Sequence, residues 1–185
     1  MTKHVSVIGF YLNKEPKDRI SFLYEHYSDY SRISERYQDM LTRRIAAMRS
    51  YERQRHDELG VRIMSGNPVR SLTETMAEEN DTIKNIVASG YLPKGVIRDY
   101  EDQSEIRMGL HEMEIFQREY DLFNRALTDL DGEEAWLFIG YIRREKTMDV
   151  MADELGVEKD SVRKRIYRTK VKITGLLLDE FKEIA

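Results

Sequence analysis

Apolar residues along the chain recur in alternating steps of three and four. After Pro16, residues Ile20, Leu23, Tyr27, Tyr30, Tyr37, Leu41, Met48 and Tyr51 fill eight of ten a/d-type positions, interrupted by Ser34 and Arg44. That spacing predicts one long amphipathic helix from Pro16, a residue suited to a first helical turn, to about Leu59. Gly60 reads as its stop, and Ser65, Gly66, Asn67 and Pro68 read as a loop. Ser71 with Glu74 three residues on has the pattern of a capping box, which opens a second helix ending at Gly90. A break follows over 91–95, where Pro93 lies. From about Ile97 to Leu130 a further long helix carries Ile106, Leu110, Met113, Tyr120, Phe123, Leu127 and Leu130, with Gln117 the one polar intruder. Val5 to Leu12 alone looks extended. The two long helices have matching stripes and should pack together. Several stripe positions are tyrosines whose hydroxyls need a polar partner or water, and a homodimer is the expected state.

Beyond Asp131 the predicted helices become short. Trp136, Ile139 and Ile142 make one apolar face, and Arg143 to Lys146 is a polar break. Thr147 is a good N-cap for a helix of about three turns bearing Met148, Met151, Ala152 and Leu155. Gly156 ends it, Val157 can tuck back into the core, and Lys159 to about Phe181 forms a third helix with a buried stripe of Val162, Ile166, Thr169 and Ile173. A short helix, a Gly-containing turn and a second helix make the helix-turn-helix unit. The expected architecture is therefore all-α. Residues 1–130 form a coiled-coil-like helical region for oligomerisation or partner contact, and residues 131–185 form a C-terminal helix-turn-helix domain.

Charge sharpens that picture. The 185 residues carry a net charge of −4, but its distribution is uneven. Residues 131–158 hold Arg143, Arg144 and Lys146 against eight acidic side chains, whereas residues 159–172 hold seven basic side chains and only Asp160. With the apolar stripe assigned to the core, Lys159, Asp160, Arg163, Lys164, Tyr167 and Arg168 point outward, and Ser161 joins them in the set expected at DNA. They lie at the start and middle of the helix, where the helix dipole disfavours cations, so complementing the dipole does not account for them. A recognition helix carries its base-reading residues at its N-terminal end in the major groove. Arg163, Lys164 and Arg168 are the chief candidates, arginine for guanine and lysine for phosphate. A second basic run, Arg43, Arg44, Arg49, Arg53 and Arg55, is spread around the first long helix beside Glu52 and reads as a solvated face.

Ala152 to Ile173 resembles the C-terminal helix-turn-helix of bacterial sigma factors, called region 4. The resemblance is carried by Met151, Ala152, Leu155, Gly156, Val157, Ser161, Val162, Arg165, Ile166, Arg168 and Ile173. These match an apolar residue with Ala, then Leu-Gly-Val, a hydroxyl residue with Val, a basic residue followed by an apolar one, and a closing aliphatic. Val150 stands where sigma factors commonly have an acidic residue. No counterpart of region 2, which binds core polymerase and melts the promoter, is found, and this points away from a complete sigma factor. The layout is similar to small regulators of phages and prophages of Gram-positive bacteria, including the ArpU-type late-gene regulators. The resemblance implies a sequence-specific DNA-binding transcriptional regulator, with double-stranded DNA as partner and RNA polymerase as a further one. The alternatives are an adaptor whose basic helix binds RNA polymerase or another acidic protein, and a phage DNA-packaging protein of the small terminase type.

Other functions find less support. With no cysteine there is no disulfide framework and no thiolate zinc site, and a reducing, cytoplasmic setting is expected. The longest apolar run, Ala135 to Ile139, is far short of the ~20 residues a membrane-spanning helix needs, so no membrane association is expected. His111 and Glu112 open as a metalloprotease helix would, but Ile115 takes the place of the second histidine. The four histidines, His4, His26, His56 and His111, are scattered, and phosphate-binding, dinucleotide-binding and nucleophile-elbow motifs are missing. Adjacent pairs such as Glu78 with Glu79, or Glu133 with Glu134, point apart on a helix and read as solvating charge. No catalysis, cofactor or metal is expected.

Overall fold

The computed structural model describes residues 6–58 and 72–184, and among these the backbone is helical with no strand. The helices are α1 (Val7–Leu12), α2 (Pro16–His26), α3 (Tyr30–Glu58), α4 (Leu72–Ser89), α5 (Tyr100–Thr128), α6 (Gly132–Ile142), α7 (Met148–Leu155) and α8 (Lys159–Ile184), with a 3-10 turn at Tyr27–Asp29. The chain divides into two compact units, one comprising Met1–Ile33 and Ile115–Ala185, the other Ser34–Glu114. The three C-terminal helices therefore share a unit with α1 and α2.

The segment read as extended is helical over its described residues. Ser6 Oγ accepts the Gly9 amide at 2.9 Å and the Asn13 side-chain amide donates to the Gly9 carbonyl at 2.8 Å, so each end of α1 has a local side-chain partner. Ile8 and Tyr11, three apart, are buried, while Val7 and Phe10 face water. The helix expected from Pro16 onward is also interrupted, because α2 stops at His26 and α3 starts only at Tyr30. Ser28 and Asp29 are poor helix formers, and Asp29 turns its carboxylate to Arg32 at 2.7 Å. The expected end at Leu59, the Gly60 stop, the loop at Ser65 to Pro68, the Ser71 cap and the Glu74 side chain lie outside the described residues. The helix expected from Ile97 begins at Tyr100. Asp99 Oδ1 accepts the amides of Glu101 and Asp102 at 2.9 and 3.2 Å, and Ile97 is buried in the preceding loop. Gly90 stands just past α4 with φ +67°, a conformation that suits the residue without Cβ.

In the unit of Ser34–Glu114, α3 and α5 run antiparallel: Tyr37 donates to Glu112 at 2.5 Å and Arg44 pairs with Glu105. Its core holds Leu41, Ile45, Ile83, Ile86, Val87, Ile106 and Leu110. Gly109 lets the two helices close up, since a Cβ there would meet Leu41 Cδ2 at 2.6 Å.

The other unit is built around aromatic rings. Phe22, Tyr11, Phe116, Tyr30, Tyr120, Tyr27, Phe123, Tyr24 and Phe138 form an unbroken series with neighbouring centroids between 3.4 and 5.7 Å. The tyrosine hydroxyls find partners on neighbouring helices: Tyr27 donates to Asn124 at 2.8 Å, Tyr30 to Gln117, Tyr24 to the Lys170 carbonyl at 3.1 Å and Tyr11 to Glu119. Packing within the chain therefore meets the polar demand from which a dimer was expected.

Arg19 and Glu119 are almost wholly out of water, their side chains 4% and 0% exposed, and face each other at 2.8 Å. The guanidinium also donates to the Phe181 carbonyl at 3.0 Å and lies over the Phe181 ring. Burial holds the Glu119 carboxyl above the usual carboxylate range, opposed by the Tyr11 hydroxyl and by Arg19. Arg19→Ala leaves that carboxylate buried without its cation and should cost about 3–5 kcal/mol in urea unfolding. Arg19→Met with Glu119→Leu should recover most of the loss. Burial likewise pushes the Tyr24 hydroxyl from 10.0 up to about 12, and the Tyr11 hydroxyl further up, with help from the Glu119 charge. The unfolded chain thus releases these protons first, so stability should fall as pH rises from about 10 towards 12. Calorimetric melting across that range should show a shallower fall for Tyr24→Phe.

Candidate nucleic-acid interface

The interface is built from α6, α7 and α8. Asp131 Oδ1 accepts the Glu134 amide at 2.9 Å and opens α6. The buried face of α6 is Leu137, Phe138, Gly140 and Ile142. Trp136 and Ile139, expected there, are only half-buried; the Trp136 ring sits under Lys146 Nζ at 4.5 Å. The close approach of α7 selects this face, because a Cβ on Gly140 would stand 3.1 Å from Met151 Cε. Thr147 Oγ1 accepts the Val150 amide at 3.4 Å at the start of α7, and Met151 and Ala152 are buried as expected.

Both α6 and α7 end in the same hydrogen-bonded turn. After α7, the Gly156 amide donates to Asp153 and the Val157 amide to Ala152, at 3.2 and 3.0 Å, with Gly156 at φ +63°. After α6, the Arg144 amide donates to Tyr141 and the Glu145 amide to Gly140, at 3.1 and 3.0 Å, with Arg144 at φ +58°. Glycine occupies the left-handed position in one turn and arginine in the other.

Helix α8 buries Val162, Ile166, Thr169 and Ile173, the stripe read from the sequence, and continues it with Leu177 and Phe181. The Thr169 hydroxyl donates to the Arg165 carbonyl at 3.1 Å, so its burial leaves no unmet donor. With that stripe inward, Lys159, Asp160, Arg163, Lys164, Tyr167 and Arg168 are exposed on the first three turns and Ser161 is half-buried beside them. All seven candidates share one stretch of helix. Lys159 pairs with Asp149 at 2.7 Å and Arg163 with Asp160 at 2.9 Å, both in solvent. Among the described residues, Lys164 and Arg168 have no ion-pair partner. On the flank facing α6, Arg165 pairs with Glu133 and Lys172 with Glu134, whose carboxylate raises the ammonium pKa through its hydrogen bond. Exposed pairs of this kind are screened by water and contribute little to stability.

Sequence reasoning did not find the opposite flank of α8. There, Lys170, Tyr167, Arg144, Tyr141 and Tyr24 line a groove of about 450 Å³ together with Phe138 and Ile166. The available signal was the Arg143–Arg144 pair at a helix end without glycine.

The other sequence candidates lie apart. On α3, Arg44 and Arg49 are engaged by Glu105 and Glu79, Arg43 is exposed, and the Arg53 and Arg55 side chains lie outside the described residues. His26 stacks on Phe22 at 4.3 Å and His111 is exposed near Glu114, while His4 and the His56 side chain lie outside the described residues. Among the described residues no group of three His, Asp or Glu side chains is placed to hold a metal, and no helix is long and apolar enough to cross a membrane.

No family model, curated protein or solved structure matches the chain.

Gly156→Ala places a Cβ in the left-handed region although there is space around it, and should destabilise the protein by about 1–2 kcal/mol. A lower melting temperature with unchanged helical circular dichroism at 20 °C checks this.

Proposed function

We propose that the protein is a sequence-specific DNA-binding transcriptional regulator in which α7, the Gly156 turn and α8 act as a helix-turn-helix. In this reading the unit resembles sigma region 4, within a layout like that of the ArpU-type phage regulators. The observation that carries the proposal is the orientation of α8: its apolar stripe is inward, so the exposed side of its first three turns presents Lys159, Arg163, Lys164, Tyr167 and Arg168. A cationic helix standing out from a packed base matches the shape and charge of a major groove. Arg163 and Arg168 serve as base-edge donors, Lys164 as a phosphate contact, and Asp160 holds the Arg163 guanidinium in place. Asp149 at the start of α7 pairs with Lys159 and so stands beside the same face. Binding as a homodimer to a two-fold operator, with RNA polymerase as a further partner, completes the proposal.

Selection from a library of random duplexes tests it. A preferred sequence should emerge. Arg163→Ala should weaken binding to it by about 1–3 kcal/mol and relax the preference, whereas Lys164→Ala should lower the salt slope by about one and leave the preference intact. Equal retention of all duplexes, or of none, would overturn the proposal.

A further inference from the structure

The part of the groove held by Arg144 and Lys170, on the flank of α8, lies apart from the base-reading residues. Lys170 lies eleven residues after Lys159, about 16 Å along the helix, while a major groove is only about 8.5 Å deep. A helix entering by its N-terminal end therefore leaves Lys170 at the rim, where phosphates run.

Arg144 stands at the same rim. Its counterpart in the matching turn after α7 is Gly156, the residue that the left-handed backbone favours. An arginine in that position retains a side chain against a local conformational cost, and residues held in this way cluster at functional sites. The guanidinium is oriented by the Glu25 carbonyl, to which Nη2 donates at 3.0 Å. That partner is neutral, and among the described residues the guanidinium has no ion-pair partner. Lys170 Nζ rests 4.8 Å over the Tyr24 ring and has no carboxylate partner among the described residues. In the same groove, Tyr141 and Tyr167 are 41% and 66% exposed and have hydroxyls to donate. Arg163 also lines the groove, joining it to the base-reading face, and Glu25 is the one acidic residue among those lining it.

We infer that this groove takes the sugar-phosphate backbone of one DNA strand, with Arg144 and Lys170 as its phosphate ligands. The DNA footprint thereby extends from α8 onto the α6–α7 turn and α2. The inference rests on the DNA-binding reading above and deepens it, giving α2 a place beside the nucleic acid.

The full chain, bound to a duplex chosen by the selection, is titrated by fluorescence anisotropy across a salt series. Arg144→Gly removes the cation and relieves the backbone, so its melting temperature should be unchanged or higher and weaker binding cannot come from misfolding. Arg144→Gly and Lys170→Gln should each lower the salt slope by about one, and the double variant by about two, without changing the preference over a random duplex. Glu25→Gln should tighten binding to every duplex. An unchanged salt slope in the double variant, or a lower melting temperature for Arg144→Gly with DNA binding intact, would overturn the inference alone; the latter would make Arg144 a tie between the turn and α2. Wild-type protein that binds no duplex would overturn the DNA reading and this inference with it.

Discussion

A guanidinium removed from water must find its partners inside the protein, and Arg19 finds them on two other helices. Glu119 comes from α5 and the Phe181 carbonyl from α8, while Tyr11 of α1 donates to the same carboxylate. The pair touches at 2.8 Å through Arg19 Nη1 and Glu119 Oε1, while Arg19 Nε is buried without a hydrogen-bond partner. Such a group tolerates few arrangements, because each displaced partner leaves a charge buried alone. Four helices are thereby held to one relative placement, and the aromatic series fills the space between them.

The proposed interface inherits that placement through α8, which runs for 26 residues. Its last turns carry Phe181 and the carbonyl that Arg19 grips, and its middle is tied to α2 by Tyr24, which contacts the Lys170 carbonyl and Thr174. Its first three turns present Lys159, Arg163, Lys164, Tyr167 and Arg168 outward. A continuous helix fixed at one end and exposed at the other holds its exposed residues at set heights and angles, as a reader of base edges requires.

Helical periodicity made much of this legible. The α8 stripe could be read because Val162, Ile166, Thr169 and Ile173 follow the three- and four-residue step without error, and the outward cations follow by subtraction. The same step hid the break at Tyr27, since Tyr27 and Tyr30 keep the apolar phase across a turn in which the backbone leaves the α-helix. Arg19 and Glu119 could not be read at all, because charged residues are nearly always solvated and nothing local marks the exception. Trp136 was misassigned because apolar residues surround it on α6 and only the approach of α7 at Gly140 decides which of them face inward. Arg144 was visible as charge but not as conformation, since the left-handed position becomes apparent only once the end of α6 is fixed.

The Arg19 contact with Phe181 joins residues 162 positions apart, whereas Ser34–Glu114 is one continuous stretch. Chain closure over such a distance is slow and comes after local contacts have formed. During synthesis the interposed stretch can reach its packed state while α1 and α2 still wait for α8. The face of α2 that meets α8, with the Arg19 guanidinium and the Tyr24 hydroxyl, then remains uncovered until α8 has emerged. For that interval the nascent protein is exposed to aggregation, and its folding depends on how promptly translation delivers α8.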